Sequence, residues 1–333
     1  MKSLRVAILG ATGAVGQEFL SLLEERKFPV AELKLLASGR SAGKKVKFHG
    51  KEIAIEEARP ESFEGIDLVL SSAGASVSRQ LVPAAVKQGA VVVDNTSAFR
   101  MDAGIPLVIP EINPEEMKKH KGIIANPNCS TIILAVPLYP LHKAARAKRV
   151  IVSTYQAASG AGMKAMLELE QQTHEILHGK PPTKQVFRHQ IAFNLFSHDS
   201  AIREDGFTEE EYKMIQETRK IFRAPELKIV TTTIRVPVLR AHSESVVVDF
   251  ERPLSEGEAR KILEKAPGVE IIDRRKENYF PMPIEAAGKD PILVGRIRKD
   301  PSSENSLAFF VSGDQLRKGA ALNALQIAEL LFK

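Results

Sequence analysis

Leu4-Arg5-Val6-Ala7-Ile8-Leu9-Gly10-Ala11-Thr12-Gly13-Ala14-Val15-Gly16 is the stretch that decides the fold class. Its apolar first half stops at Gly10, and apolar residues at 19, 20, 22 and 23 then follow at helical spacing. A strand, a tight turn and a helix are therefore predicted. Glycines at 10, 13 and 16 let such a turn approach a dinucleotide pyrophosphate closely, with the helix N–H groups facing the phosphates. An ordinary glycine-rich turn is the alternative.

Further apolar runs at 33–37, 66–70 and 90–93 alternate with helix-like stretches such as 77–88. Continuous apolar strands are typical of a parallel sheet that helices cover on both faces. The first part of the chain is therefore predicted to be an α/β, Rossmann-like domain.

After about residue 127 the pattern changes. Strands are predicted at 149–156, 228–236, 245–251, 291–298 and 306–312, and helices at 163–178 and 209–222. These elements predict a second, α+β domain with a mostly antiparallel or mixed sheet. Residues 318–332 carry apolar side chains at helical spacing and predict a last helix.

The composition fits a two-domain globular protein of 333 residues, with 44% hydrophobic and 26% charged residues. The formal charge of +6 comes from lysines and arginines spread along the chain, so no nucleic acid partner is expected. No apolar run approaches the roughly 20 residues of a membrane span. We expect a cytoplasmic protein without a membrane partner.

The single cysteine, Cys129, excludes an intramolecular disulfide and a cysteine-cluster metal site, and we predict no metal. It lies in Asn126-Pro127-Asn128-Cys129-Ser130-Thr131, after an apolar run and before a helical pattern at 132–141. At the first turn of a helix, N–H groups and the helix dipole lower the pKa of a thiol. A nucleophile is predicted, with a buried inert cysteine as the alternative.

Among eight histidines, His242 has the most suggestive context, since it lies in a predicted loop between two strands. A structural histidine is the alternative. The others, except His49 in a predicted hairpin, are interpreted as surface residues. Gln156 precedes a turn of small residues, 157–162, that could admit a nicotinamide ring.

The cofactor preference depends on the end of the second strand. There Ser38, Arg40 and Ser41 stand where an NAD enzyme normally has a carboxylate. A guanidinium between two hydroxyls suits a 2′-phosphate, so NADP is favoured over NAD. A solvated turn is the alternative.

Taken together, these motifs resemble the aspartate-semialdehyde dehydrogenase family over nearly the entire chain. The motifs are those at 10–16, 95–100, 126–131, 156–162, 211–213 and 235–245. The resemblance implies an NADP-binding domain of residues 1–127 and 315–333, to which the last helix returns. A catalytic and dimerisation domain of residues 128–314 lies between them.

The family chemistry implied is the reversible NADPH-dependent reduction of β-aspartyl phosphate to aspartate semialdehyde, in the biosynthesis of lysine, methionine, threonine and isoleucine. The resemblance implies that Cys129 is the nucleophile, His242 the general acid/base and Gln156 a positioning residue. It implies that Arg235 binds the substrate carboxylate, Glu211 its amino group, and Arg100, Asn128 and Lys213 phosphate. The implied cofactor contacts are Gly10, Thr12, Gly13, Ala14, Val15, Gly16, Ser38, Arg40, Ser41, Ser71, Ala73, Gly74, Ser159, Gly160, Gly162 and Asn323. A homodimer is expected, with a tetramer as the alternative.

Two other functions remain open. N-acetylglutamyl-phosphate reductases resemble this family, but they typically have His-Pro-Gly before the cysteine, where this chain has Asn126-Pro127-Asn128. A non-catalytic dinucleotide-binding protein is the second alternative.

Overall fold

A computed structural model describes residues 3–333 and divides the chain into two compact units. One unit comprises Met1–Asn128 and Ala320–Lys333, and the other comprises Cys129–Gly319. The expected boundaries were 127/128 and 314/315. We refer to the first and second unit and treat each by itself.

The first unit contains a seven-stranded sheet in the order β3-β4-β2-β1-β5-β6-β7. All neighbouring strands are parallel except β3 and β4, which form an antiparallel pair. The strands are β1 (Leu4–Leu9), β2 (Val30–Ala37), β3 (Lys45–Phe48), β4 (Lys51–Glu57), β5 (Leu68–Ser71), β6 (Val91–Asp94) and β7 (Ile123–Ala125). The predicted parallel sheet is confirmed.

Helices α1 (Ala14–Glu25) and α2 (Ala75–Lys87) follow strands of this sheet, as predicted for an α/β domain. The last helix, numbered α8 (Leu322–Leu331), belongs to this unit and contacts α1. Its Leu322 and Leu325 are buried in one apolar core with Phe19 of α1 and Ile8 of β1. The predicted return of the carboxyl-terminal helix is confirmed.

The second unit contains another seven-stranded sheet, in the order β12-β13-β14-β11-β8-β10-β9. Its strands are β8 (Ala147–Gln156), β9 (Phe196–Ser197), β10 (Lys228–Arg235), β11 (His242–Phe250), β12 (Val269–Ile271), β13 (Ile292–Lys299) and β14 (Ser306–Gly313). Its helices are α3 (Cys129–Ala145), α4 (Met163–Leu177), α5 (Glu209–Phe222), α6 (Glu256–Leu263) and α7 (Pro283–Ala286). The sheet is mixed, because β8/β10 and β12/β13 are parallel pairs and the rest are antiparallel.

Helices α3, α5 and α6 contact strands of the second sheet. On β8 and β10 the side chains of Thr154 and Thr233 are buried, whereas Tyr155 and Val230, which have the opposite parity, are 37% and 38% exposed. Successive residues of a strand point to opposite faces, so one face of this sheet is covered and the other is partly open. No helix among residues 3–333 is long and apolar enough to span a membrane. The cytoplasmic location stays a prediction.

Candidate active site

The glycine turn after β1 forms one wall of a cavity of about 570 Å³ in the first unit. Gly10, Thr12 and Gly13 line it, and Gly13 is the N-cap of α1 without a side chain to cap the helix. Gly10 has a φ of 94°, and a Cβ there would lie 2.8 Å from the Ala73 nitrogen. Unsatisfied N–H groups at a helix start bind phosphate, so this turn fits a dinucleotide.

The remaining glycine of the motif plays a packing role. Gly16 lies in the first turn of α1, just after Ala14 and Val15, and a Cβ at Gly16 would come within 2.3 Å of the Gly10 oxygen. The close approach of the helix to the turn therefore requires a residue without a side chain at position 16.

The end of β5 brings Ser72 and Ala73 to the cavity. The Ser72 hydroxyl is buried beside the cavity and has no hydrogen-bond partner among residues 3–333. Ser71 was the predicted contact, but its fully buried hydroxyl bonds the Ser78 hydroxyl at 3.0 Å. The Ser71 side chain therefore faces the interior, and Ser72 is the serine that lines the cavity. Gly74 is the N-cap of α2.

The ribose end of the cavity is lined by Ser38, Gly39, Glu57 and Arg59. Glu57 ends β4, the neighbour of β2, and a Cβ at Gly39 would lie 2.8 Å from the Glu57 Oε1. The Arg59 Nη2 is 2.5 Å from the Glu57 Oε2. A carboxylate is therefore present beside the end of β2, although the last residues of β2 itself, Leu35-Leu36-Ala37, supply none.

Arg40 and Ser41 lie in a short turn, Gly39–Ser41, directly beyond this lining. Arg40 is exposed. Of the two arginines near the end of β2, only Arg59 lines the cavity itself.

Asn323 and Arg100 organise the interior of the first unit around Asn126. The Asn323 Nδ2 donates to the Val108 oxygen at 3.0 Å and to the Asn126 Oδ1 at 2.6 Å. Its amide nitrogen is therefore fully used, and the predicted cofactor contact can involve only the side-chain oxygen. The buried Arg100 donates from Nε to the Asn126 oxygen and from Nη2 to the Asn95 oxygen, both at 2.9 Å. These bonds fix the strand end that precedes Asn128, which is also buried.

In the second unit, Cys129 is the first residue of α3 and its side chain is partly accessible. The helix start supplies N–H groups and a positive dipole end, which favour a thiolate. Gly319 packs against it, since a Cβ there would lie 3.1 Å from the Cys129 Cβ. The predicted helix-start position of the cysteine is thereby found in the structure, and the residue is not fully buried.

Gln156 ends β8 and is 1% exposed. Its Nε2 donates to the hydroxyl of Ser130, the neighbour of Cys129, at 2.6 Å, and to the Glu210 Oε1 at 3.3 Å. Gln156 therefore connects the start of α3 with the start of α5.

His242 is the first residue of β11 and not part of a loop, so that prediction is wrong. Its Nδ1 accepts a hydrogen bond from the Ala157 nitrogen at 3.0 Å. Burial, with the charge of Arg235 adding to it, lowers the pKa of His242 to about 3. The neutral ring then carries its proton on Nε2, which makes that nitrogen a hydrogen-bond donor.

Arg235 ends β10 and is 3% exposed. Its Nη1 donates to the Ala157 oxygen at 3.1 Å, and its Nε is buried without a partner among residues 3–333. Burial lowers the pKa of Arg235, whereas the charges of Asp199, Glu210 and Cys129 raise it. The guanidinium therefore lies within electrostatic range of the sulfur.

Gly160 lies between Arg235 and His242. A Cβ at Gly160 would be 3.0 Å from the Arg235 Nη1 and 3.1 Å from the His242 Nε2. It belongs to the turn Ala158–Ala161, which places Ser159 against Gln315 and leads into Gly162, the N-cap of α4.

Glu211 does not face these side chains, which corrects the predicted role of this residue. Its carboxylate accepts from the Thr208 nitrogen at 2.8 Å and from the Thr233 nitrogen at 3.0 Å. With Thr208 it forms the capping box of α5. Glu210 faces these side chains instead, since it bonds Gln156 and its Oε2 is 3.3 Å from the Lys213 Nζ.

The sequence contained a signal for this assignment that our prediction missed. Thr208 followed three residues later by Glu211 is the capping-box pattern, which commits the carboxylate to the helix start. Glu57 and Ser72 had no comparable signal.

The chain matches two family models, semialdehyde dehydrogenase, NAD binding domain, over residues 5–120 and semialdehyde dehydrogenase, dimerisation domain, over residues 138–318. It is 55% identical to a Synechocystis aspartate-semialdehyde dehydrogenase over 99% of this chain and 98% of the relative. This chain belongs to the aspartate-semialdehyde dehydrogenase family. The predicted family is confirmed.

Other members of the family are similar to this chain over its full length as well. A relative from Aquifex aeolicus is 54% identical over 99% of this chain and 98% of its own length. The crystal structure of Vibrio cholerae aspartate semialdehyde dehydrogenase II complexed with ASA superposes with a TM-score of 0.97 at 43% identity, covering 100% of this chain and 99% of that one. The family and its fold therefore extend over the whole chain, with a nicotinamide dinucleotide as the cofactor class of its first unit.

Proposed function

We propose that this chain reversibly converts β-aspartyl phosphate into aspartate semialdehyde and phosphate with NADPH, through a thioester on Cys129. The observation that carries the proposal is the partly buried Cys129 at the start of α3, in one unit with Gln156, Arg235 and His242. A non-catalytic protein would have no need for a thiol in this position. The substrates named for its relatives are consistent with this chemistry.

The reaction begins when the Cys129 thiolate attacks the acyl carbon and phosphate leaves with the bonding electron pair, which forms the thioester. The N–H groups at the start of α3 stabilise the oxyanion that develops on the carbonyl oxygen. The His242 Nε2–H is a second donor to that oxygen. The same donors act when the thiohemiacetal oxyanion collapses to the aldehyde and regenerates the thiolate.

His242 acts in this scheme mainly as a hydrogen-bond donor. The predicted role was general acid/base, but Nδ1 already accepts from Ala157 and burial disfavours the imidazolium in the free protein. Collapse of the alkoxide to an aldehyde needs no proton from the enzyme. A donor at Nε2 is therefore sufficient.

NADPH supplies the hydride when it is bound. We infer a preference for NADP because Arg59 lines the ribose end of the cavity beside Glu57, and Arg40 follows the lining residue Gly39 directly in the chain. The 2′-phosphate would replace the Glu57 carboxylate as the partner of Arg59, which is an exposed and therefore exchangeable ion pair. Glu57 would remain available to the ribose hydroxyls.

Arg235 binds the substrate carboxylate in this proposal, because its guanidinium is a planar fork whose buried Nε has no partner within the described part of the chain. Glu210, not Glu211, receives the amino group. Arg100, Asn128 and Lys213 remain the proposed phosphate ligands.

We also propose that the chain is a homodimer. The matched dimerisation-domain model covers the second unit, whose sheet has a partly open face. Tyr155 and Val230 leave more than a third of their surface exposed there. Burial of such a face against a second copy would remove this apolar surface from water.

The test is phosphate-dependent reduction of NADP with purified protein and L-aspartate semialdehyde. We expect turnover that requires phosphate, and a lower kcat/KM with NAD. N-acetylglutamate semialdehyde is the comparison substrate, because its blocked amine cannot bind Glu210 as an ammonium. Faster reaction with the acetylated aldehyde would replace this proposal by a reductase for N-acetylglutamyl phosphate. Cofactor binding without reaction on either aldehyde would support a non-catalytic role.

A further inference from the structure

His198 follows β9 and was expected at the surface, but it lies beside the buried Arg235. Its backbone nitrogen donates to the Thr233 oxygen at 2.8 Å, which anchors this residue along β10. Its Nε2 is 2.8 Å from the Arg235 Nη2. Its Nδ1 accepts from the Ser200 nitrogen at 3.2 Å.

The two ring nitrogens therefore both face N–H groups. A neutral imidazole has one donor and one acceptor nitrogen, so only one of these contacts can be a hydrogen bond. Burial lowers the pKa of His198, which favours the neutral ring. When Nδ1 accepts from Ser200, Nε2 carries the proton and points its N–H at the Arg235 guanidinium.

Two buried donors that face each other need an acceptor that serves both. Asp199 is the nearest carboxylate to the guanidinium, but its Oδ1 is 3.9 Å from the Arg235 Nη2, beyond hydrogen-bond range. The Arg235 Nε is also without a partner among residues 3–333. An incoming carboxylate would accept from the guanidinium and from the ring at the same point.

We propose that His198 is a substrate-binding residue, whose Nε2–H donates to the same substrate carboxylate that Arg235 binds. This proposal rests on the proposed function. It assigns to the segment after β9 a direct part in selecting an aldehyde that carries a carboxylate. A purely supporting role, in which the ring accepts from Arg235 and holds it, is the alternative.

The experiment compares the KM for aspartate semialdehyde in the parent, His198→Ala, His198→Gln and a control, His189→Ala, in the same segment. Loss of a hydrogen bond to a charged group predicts a KM raised at least about 10-fold in His198→Ala. The kcat and the KM for phosphate should change by less than about 3-fold, since the ring does not touch the reacting atoms. His198→Gln should restore most of the loss because its amide also donates. The exposed His189 should be replaceable without effect on KM.

A second pair of variants separates direct donation from support of Arg235. In an Arg235→Ala background, His198→Ala should still lower kcat/KM if the ring itself binds the carboxylate. No further loss in that background, or an unchanged KM in His198→Ala alone, would overturn the proposal. A parent protein that does not oxidise aspartate semialdehyde would overturn the proposed function as well, so the two failures are distinguishable.

Discussion

At the scale of single residues, the composition of the site depends on the direction in which each of three consecutive glutamate side chains points. Glu209, Glu210 and Glu211 begin α5, and adjacent helical residues point about 100° apart. Glu211 is held by Thr208 and Thr233, and Glu210 by Gln156 and Lys213. One carboxylate therefore stabilises the helix, and its neighbour faces the side chains that we propose bind the substrate.

This division predicts opposite effects for two matched variants. Glu210→Gln should raise the KM for aspartate semialdehyde by about 10-fold or more, because a charged hydrogen bond to the amino group is lost. Glu211→Gln should leave that KM within about 2-fold and lower the free energy of unfolding by about 1 kcal/mol through the weakened cap. Steady-state kinetics and urea denaturation of both variants test this. The reverse pattern would restore Glu211 to the substrate site.

From the sequence, the types of residue in the site could be predicted more readily than their exact positions in the chain. Cys129 was identifiable because polar turn residues precede a helical pattern. Ser72 instead of Ser71 was not, because a shift of one residue at a strand end exchanges an inward for an outward side chain. His198 escaped prediction since its burial depends on β9 pairing with β10, a contact distant in sequence.

At the scale of elements, β11 was predicted to begin at 245 but begins at His242. Its first residues are polar, so apolar periodicity could not detect them, yet they are buried. Glu57 was missed for a related reason: β4 lies beside β2 in the sheet order, and strand order is not readable from local periodicity. Helix α5 was predicted to the residue, because its apolar spacing extends over several turns.

The same strand contains an unusual carboxyl group, Glu244. It is fully buried, and neither of its oxygens has a hydrogen-bond partner among residues 3–333. Thr154 lies directly across on β8, and its hydroxyl is also buried without a partner there. Burial raises the pKa of Glu244 well above its ordinary value of 4.5.

A raised pKa in the folded state gives a defined pH dependence. Below about pH 4.5 both states hold the proton and stability is unaffected; above it only the unfolded chain releases the proton. The free energy of unfolding therefore falls as pH rises, by about 1.4 kcal/mol per pH unit, until the folded carboxyl ionises. Glu244→Gln should remove this decline, so the variant should match the parent at pH 4.5 and exceed it at pH 8.

Urea denaturation at several pH values measures this effect. The exposed Glu304→Gln is the control, since it removes a carboxylate without altering the interior, and it should keep the parent pH dependence. Parallel curves for Glu244→Gln and the parent would show that the folded state holds an ionised Glu244.

At the scale of the whole molecule, the chain contains two sheets of different construction, and each presents different candidate functional residues. The parallel sheet of the first unit ends in a glycine turn that fits a dinucleotide. The mixed sheet of the second unit collects Gln156, Arg235 and His242 from three neighbouring strands, and its opposite face is partly open. Both architectures were predicted from the period and continuity of the apolar pattern.

The open face leads to a prediction about assembly. Val230→Asp places a charge on that face and should raise the dimer dissociation constant by about 10-fold or more, because burying an unpaired charge is costly. Ile284→Asp is the control, an 81% exposed apolar residue on α7. Sedimentation velocity over a range of concentrations measures the effect. A parent that sediments as a monomer, or a variant that dimerises like the parent, would contradict this interface.

The central claim is that Cys129 forms a thioester with the substrate. Without phosphate, aspartate semialdehyde and NADP should give a burst of about one NADPH per active site and then stop, since no acceptor releases the acyl group. Mass spectrometry of the acid-quenched protein should locate an acyl adduct on the peptide that contains Cys129, and Cys129→Ser should show neither burst nor adduct. Full phosphate-dependent turnover without any burst or adduct, or a burst retained in Cys129→Ser, would contradict the account.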